Sequence, residues 1–333
     1  MHSVLYMPQR RLRIVLPGGS GQVGRMLAGY FQERGHHVTV LTRLPYAATW
    51  QTVHWDGENP GPWTDYLEGA DVCINLAGRS VNCRYTEANR REIYDSRIFS
   101  TRLLGEVIAS LDEPPKIWLN ASTATIYRHA LDRPMDEDTG EVGGHELIGP
   151  HRHAPDTWNF SIRVAKDWEA AFFNARTPKT RKVALRSAIT FSPVAGNAFS
   201  VFLNLVRFSL GGTQGNGRQF VSWIHELDFA SAVEFLIGRD DIEGPVNLAS
   251  PNPLPNNEFM AILRDAWGMP NGLPAPAPLI ELAAIFLRTE SELVLKSRRV
   301  FPGRLLDAGF EFQFPDWPEA AQDLVYRWRD RYR

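Results

Sequence analysis

A glycine-spaced turn near the start of the chain constrains the fold more than any other feature. Leu12 to Leu27 reads Leu-Arg-Ile-Val-Leu-Pro-Gly-Gly-Ser-Gly-Gln-Val-Gly-Arg-Met-Leu: a buried strand, a turn, and the first turns of a helix. Gly18, Gly21 and Gly24 are spaced G-x-x-G-x-x-G. The first permits a tight turn, the second lets a diphosphate approach bare backbone, and the third packs helix against strand. The helix opens at Gln22 and Val23, and the free amides of a helix start face an anion. Three glycines are often only a loop. Here Ile14-Val15-Leu16 before them and an amphipathic segment after them supply the context that reads as dinucleotide binding.

The second β-branched run, His37 to Leu41, ends at Thr42-Arg43, where such folds usually place an acidic residue on the ribose 2′-hydroxyl. Arg43 cannot accept that bond. A guanidinium suits a 2′-phosphate through bidentate, charge-assisted bonds, so the cofactor expected is NADP(H) rather than NAD(H). Thr52 to Trp55 reads as a short third strand, Trp63 to Ala70 as a short helix, and Asp71 to Gly78 as a fourth strand. That strand opens into Leu76-Ala77-Gly78, small residues that let a ribose lie close. Thr86 to Ser110 is helical, with Glu92 and Arg97 at its cofactor end as either cofactor contacts or a solvated ion pair. Lys116 to Ala121 is a fifth strand that runs into Ser122-Thr123-Ala124-Thr125-Ile126-Tyr127, a hydroxyl-rich end suited to chemistry.

Residues 128–157 are polar and rich in Gly and Pro, and read as a lid inserted over the site. His145, His151 and His153 lie there without Cys or paired carboxylates at ligand spacing, so no metal site is expected. Trp158 to Asn174 is helical, and Val183 to Phe191 is a sixth strand carrying Ser187 and Ile189. Alternating strands and helices give an α/β fold with a doubly wound parallel sheet over residues 11–191. Residues 192–333 read as a smaller C-terminal α+β substrate domain, with 226–249 returning to the sheet. Within it, Gln219 to Asp228 reads as strand into helix, with Asp228 as a helix cap, and Asn256 caps another helix. Leu279 to Arg288 and Ala320 to Arg331 are helical, and Phe310, Phe312, Phe314 and Trp317 read as core strand.

Composition narrows the partners. With 44% hydrophobic and 22% charged residues and a formal charge of −2, the chain lacks the basic footprint of a nucleic-acid or acidic-membrane binder. A small-molecule substrate is expected instead, and oligomeric state is unreadable. Cys73 and Cys83 make neither a disulfide framework nor a metal set. Met1 to Arg11 lacks a signal-like apolar stretch and no run approaches a membrane span, so a cytoplasmic location is expected. Only five of the 36 basic residues are lysines.

The glycine turn, Asn75-Leu76-Ala77-Gly78 and Ser122 to Tyr127 resemble the extended short-chain dehydrogenase/reductases. Tyr94 to Ile98, Lys166 to Glu169, Gly217 to His225, Gly244 to Leu248 and Arg298 to Phe310 are similar to an atypical branch of them. That branch is the NAD-dependent epimerase/dehydratase family proteins, nucleoside-diphosphate-sugar epimerase-like, with a C-terminal domain of unknown function. The resemblance implies dinucleotide contacts at Gly18, Gly21, Gln22, Val23, Gly24, Thr42, Arg43, Leu76, Ala77, Gly78, Glu92, Arg97, Ala121, Ser122, Ser187 and Ile189. It also implies a single Rossmann sheet with a smaller C-terminal domain closing over the nicotinamide, and that Thr123 bonds the reacting oxygen. The superfamily's Tyr-x-x-x-Lys pair falls on Ser161 and Ala165, and the adjacent Lys166 is turned away by about 100° of helix. Tyr127, Thr123, His225 or water remain as proton carriers, with Gln219 and Trp223 as pocket residues or packed loop. Two readings follow: an NADP(H)-dependent oxidoreductase or epimerase, or a non-catalytic NADPH-binding sensor.

Overall fold

The structure, a computed structural model, describes residues 10–144, 147–149, 152–286 and 289–333. Strand β1 (Arg13–Pro17) turns into helix α1 (Gln22–Glu33), followed by β2 (His37–Thr42) and β3 (Gln51–His54). A 3-10 turn at Pro62–Tyr66 stands where the sequence suggests a helix, and leads to β4 (Val72–Asn75), α2 (Glu87–Ser110) and β5 (Ile117–Thr123). Two short antiparallel strands, β6 (Leu147–Gly149) and β7 (Arg152–His153), precede α3 (Asp156–Phe173), β8 (Arg181–Ser187) and β9 (Ile189–Phe191). Next come α4 (Ala198–Arg207), β10 (Phe220–Val221), β11 (Trp223–His225), α5 (Glu226–Ile237) and β12 (Gly244–Leu248). The C-terminal region holds β13 (Leu254–Pro255), α6 (Asn256–Trp267), α7 (Ala277–Phe286), α8 (Glu292–Leu295), α9 (Gly303–Asp307) and α10 (Trp317–Arg331).

Seven parallel strands form one sheet in the order β12-β8-β5-β4-β1-β2-β3. Its strands are apolar on both faces, as a covered parallel sheet requires. Ile14 and Leu16 pack with α1 and α5, whereas Val15 and Cys73 pack with α2 and with Phe172 of α3. The chain runs outward from β1 to β3, then returns to lay β4 on the other side of β1. That reversal opens a crevice at the carboxyl ends of β1 and β4, the place where open α/β sheets take ligands.

The stretch expected as one strand from Val183 to Phe191 breaks at Ala188. Ala188 N bonds to Leu248 O, but Ile189 N bonds to Ser222 O, so the chain changes partners from β12 to β11 and leaves the sheet. Beyond the break Phe191, Phe199, Phe259 and Trp317 form a separate core, with Phe259 and Trp317 stacked at 4.2 Å. This region is mainly helical, with two short two-stranded sheets. Of its strands, β10 and β13 form a two-residue pair and β11 pairs with β9.

Three further expectations need correction. Phe310, Phe312 and Phe314 form no strand, because the Asp228 carboxylate accepts from Gln313 N at 2.7 Å and Phe314 N at 2.9 Å and so satisfies backbone that a ladder would otherwise hold. Asp228 is therefore not a helix cap; His225 Nδ1 accepts from Leu227 N and caps α5. Asn256 lies inside α6, its side chain locked onto Gln214. Helix α7 ends at Phe286, and Leu287 and Arg288 lie outside the described residues.

Replacing Asp228 with Ala strands both amides. The chain is expected to lose about 2 kcal/mol in urea unfolding, whereas Asp228→Asn keeps an acceptor and loses less. A loss below about 0.5 kcal/mol for the alanine variant would mean that water replaces the carboxylate freely.

Of the segment expected as a lid, residues 145, 146, 150 and 151 lie outside the described residues. Met135 N bonds to Arg299 O and Phe301 N to Met135 O, so the described part of 128–144 is docked on the 297–304 segment. His145 and His151 lie outside the described residues, and His153 is exposed. Among the described residues no three His, Cys, Asp or Glu side chains gather as a metal set, and no helix is long and apolar enough to cross a membrane.

Candidate active site

The glycine turn sets the near edge of the crevice. Gly18 has φ +72°, and a Cβ there would stand 2.5 Å from Ala77 Cα, so the turn touches the loop after β4 backbone to backbone. Gly21 caps α1 in an extended conformation with no side-chain cap, and nothing lies within 4 Å of where its Cβ would be. The first amides of α1 are left open to an anion, which fits a dinucleotide diphosphate. At Gly24 a Cβ would meet Gly19 O at 2.3 Å. Gly24 thus seats the helix on its own turn rather than on the strand.

Behind this edge lies a cleft of about 460 Å³. Gln22, Val23, Leu76, Ala77, Gly78, Arg97, Ala121, Ser122, Thr123, Ser187 and Ile189 line it. Ser122 spends its hydroxyl on Glu169 Oε1 at 2.6 Å. Thr123 Oγ1 accepts from Thr125 N at 3.1 Å, which leaves its own proton for a ligand. Arg97 donates to Ile93 O and has no ion pair among the described residues; burial pushes its guanidinium down to about 10. Arg43 is exposed just beyond β2, unpaired among the described residues, while Thr42 is buried with its hydroxyl at the Leu44 backbone. Glu92 is placed outside the cleft, exposed and paired with Arg79 at 3.1 Å.

Four other expected site residues face away. Tyr127 is 2% exposed, with Oη donating to Asn247 Oδ1 and accepting from Arg186 Nη1, both at 2.9 Å. Burial holds its phenol above the ordinary value despite the pull of Arg186. His225 is fully buried, with Nε2 3.0 Å from Asp323 and Nδ1 at the α5 cap. Trp223 packs on Trp317 at 5.0 Å in the C-terminal core. Gln219 donates to Gln214 O and Val294 O. Hydroxyl, imidazole and amide were visible in the sequence, but the direction each points was not.

The stretch from Gln219 to Ser222 has a different role: it braces the segment behind the cleft. Arg298 N bonds to Phe220 O, Phe220 N to Ser297 Oγ, and Ser222 Oγ to Arg298 O. This holds α8 and Arg298 against the cleft, where Glu292, Leu293 and Arg298 form its far wall. The buried lysine is Lys296, whose Nζ donates to Thr125 O at 2.9 Å and lies 3.8 Å from Glu292. By contrast Lys166 is exposed. Val81, Tyr85, Phe160 and Ser161 complete the wall, and Arg84 and the Tyr85 amide both grip Glu290. Sequence reading missed Tyr85, Glu292 and Arg298. The hints were the rarity of lysine, which draws attention to Lys296, and the family-like stretch that opens at Arg298 without showing where its side chain points.

Comparison with known proteins places this arrangement. Residues 14–155 match the NAD dependent epimerase/dehydratase family and residues 275–324 a domain of unknown function, DUF1731. The human epimerase family protein SDR39U1 is 30% identical over 321 residues, spanning 94% of this chain and 100% of the relative. The chain belongs to the NAD dependent epimerase/dehydratase family. Within this epimerase family, YfhF of Bacillus subtilis is also 30% identical, over 94% of this chain and 98% of its own length. The crystal structure of human SDR39U1 (isoform 2) with NADPH superposes with a TM-score of 0.79 at 28% identity, covering 94% of this chain and 99% of that one. This epimerase-family chain therefore has a Rossmann-like nicotinamide-dinucleotide fold with a C-terminal helical region.

Proposed function

We propose that this chain is an NADP(H)-dependent oxidoreductase or epimerase acting on a small polar substrate in the cleft beside Thr123. The observation that carries the reading is the cleft itself. It joins an open amide edge at Gly21 to a chamber walled by Thr123, Tyr85, Ser161, Glu292 and Arg298. A sensor needs the first part only; the polar wall, with Glu292 and Arg298 buried in it, supports chemistry. When bound, the nicotinamide supplies or takes up a hydride. The chain's residues hold the dinucleotide at the α1 start, place the reacting oxygen at Thr123 Oγ1, and give the chamber apolar lining at Val81 and Phe160.

Preference for the phosphorylated cofactor is assigned to Arg43, free at the end of β2. In calorimetric titrations Arg43→Ala is expected to weaken NADPH by roughly 10-fold or more, the worth of a charge-assisted hydrogen bond, and NADH less than about 2-fold. Equal losses for the two cofactors would remove Arg43 from 2′-phosphate recognition. An absence of heat with either cofactor would sink the reading as a whole.

A further inference from the structure

Two hydroxyls and a carboxylate meet at the far wall of the cleft, each from a different part of the chain. Tyr85 stands in the loop before α2, Ser161 on the second turn of α3, and Glu292 at the start of α8, and all line the cleft. Ser161 Oγ donates to Glu292 Oε2 at 2.6 Å and lies 3.3 Å from Tyr85 Oη, which is left to donate to it. Tyr85 and Glu292 are held from behind. The Tyr85 amide is fixed by Glu290 Oε1 at 2.6 Å, and its ring meets Phe160 edge-on at 5.2 Å. Glu292 Oε1 faces Arg298 Nη2 at 3.3 Å and Lys296 Nζ at 3.8 Å. Two cations thus balance the buried carboxylate on one side, while its other oxygen accepts from Ser161.

We propose that Tyr85, Ser161 and Glu292 form the proton relay of this cleft, with Tyr85 Oη meeting the substrate oxygen and Glu292 storing the proton. The relay rests on the enzymatic reading above. When a substrate alcohol is oxidised, its O–H bond breaks and the proton passes to Tyr85 Oη. The Tyr85 proton passes to Ser161 Oγ, and the Ser161 proton to Glu292 Oε2, which becomes a carboxylic acid. The electron pair leaves the carbon with the transferred hydride, and in the reducing direction Glu292 returns the proton. Ser161 occupies the helix position where the superfamily pattern has tyrosine, so the phenol is supplied from another segment. Burial, with Glu292 nearby, pushes Tyr85 up to about 12, so it stands protonated and ready to donate at neutral pH. The other charged or titratable groups around it are Glu290, Arg84, Arg90, Arg97, Arg298, Lys296 and Cys83.

The test places 3-fluorotyrosine at position 85 and follows its fluorine resonance against pH, with NADPH affinity measured by calorimetry on the same proteins. Glu292→Gln is expected to lower the phenol midpoint by about 1 pH unit, since a neighbouring negative charge is removed. With NADPH and 9,10-phenanthrenequinone as probe, Tyr85→Phe, Glu292→Gln and Ser161→Ala are expected to lose roughly 10²-fold or more in kcat. Ser161→Thr keeps the hydroxyl and much of the rate, and NADPH affinity stays close to that of the wild type in every variant, as expected for groups that act only in the proton-transfer step. An unmoved midpoint in Glu292→Gln, or an unchanged kcat in Tyr85→Phe, overturns the relay and leaves cofactor binding standing. A wild-type chain that does not bind NADPH overturns the reading beneath it. One that binds NADPH but turns over neither the quinone nor a panel of aldehydes and sugar nucleotides overturns the relay as a catalytic device.

Discussion

The Gly21→Asp variant is expected to bind NADPH at least 100-fold more weakly than the wild-type chain while melting at nearly the same temperature. The two halves of that expectation come from one observation. No atom lies within 4 Å of the position a Gly21 Cβ would take, so a side chain fits without displacing the fold. Its backbone is extended, at φ −70° and ψ 176°, which any residue adopts. An aspartate there brings a carboxylate to the anion-facing end of α1. Two unit charges about 4 Å apart repel by roughly 4 kcal/mol at an effective dielectric of 20, more than enough for 100-fold. Calorimetry and thermal melting on the same sample check both halves. Full affinity in the variant would place the diphosphate elsewhere, and a large drop in melting temperature would make the turn structural. Gly21→Ala is the control, expected to bind far better than the aspartate.

The second large effect is on stability. Arg186 and Glu169 form a bidentate pair, Nε to Oε1 and Nη2 to Oε2, both at 2.8 Å and both buried. Ser122 donates into it from β5, and Tyr127 and Asn247 extend it to β12, where Asn247 Nδ2 donates to Phe301 O. Burial by itself would lower the Arg186 guanidinium, yet the bonds and charge of Glu169 raise it. Glu169→Ala leaves that cation buried without its partner and is expected to cost about 3–5 kcal/mol. This corresponds to a melting temperature lower by on the order of 10 °C. Adding Arg186→Met should restore part of the loss, because a buried pair replaced by apolar groups is often tolerated. Urea unfolding of the single and double variants decides the matter. A cost below about 1 kcal/mol for Glu169→Ala would mean that water reaches the pair. The same network accounts for Tyr127, whose hydroxyl is spent between Arg186 and Asn247 and faces no cleft.

What could be read from the residues alone divides along the range of the forces involved. The strand, turn and helix at Leu12 to Leu27 are legible because their signal lies within sixteen consecutive residues: apolar run, glycine spacing, amphipathic period. The outer sheet strands and helices α2 and α3 are legible for the same reason. Thr123 stays in the cleft because it ends a strand at the crevice, and strand ends follow from the sheet. Four residues further on, Tyr127 follows a 3-10 turn at Ala124–Ile126 that redirects the chain, and no periodicity records where a side chain points after such a turn. Glu292 shows the opposite failure. It starts a helix of four residues, too short for a pattern, and its partner Ser161 is 131 positions away. The phenylalanine run at 310–314 has the alternation of a strand, but one carboxylate, Asp228, takes the backbone amides that would have paired.

The grip of Glu290 on Arg84 and Tyr85 also bears on the order in which the molecule is made. That contact joins positions 205 apart, so it closes one of the longest loops in the chain. Closure cost grows with the logarithm of loop length, and segments that emerge first fold first during synthesis. The glycine turn and the loop after β4, which meet at Gly18 and Ala77, are therefore made before the far wall, while α1 still awaits α5 to cover its apolar face. The backbone that faces a dinucleotide emerges well before the enclosure in which a substrate could be held.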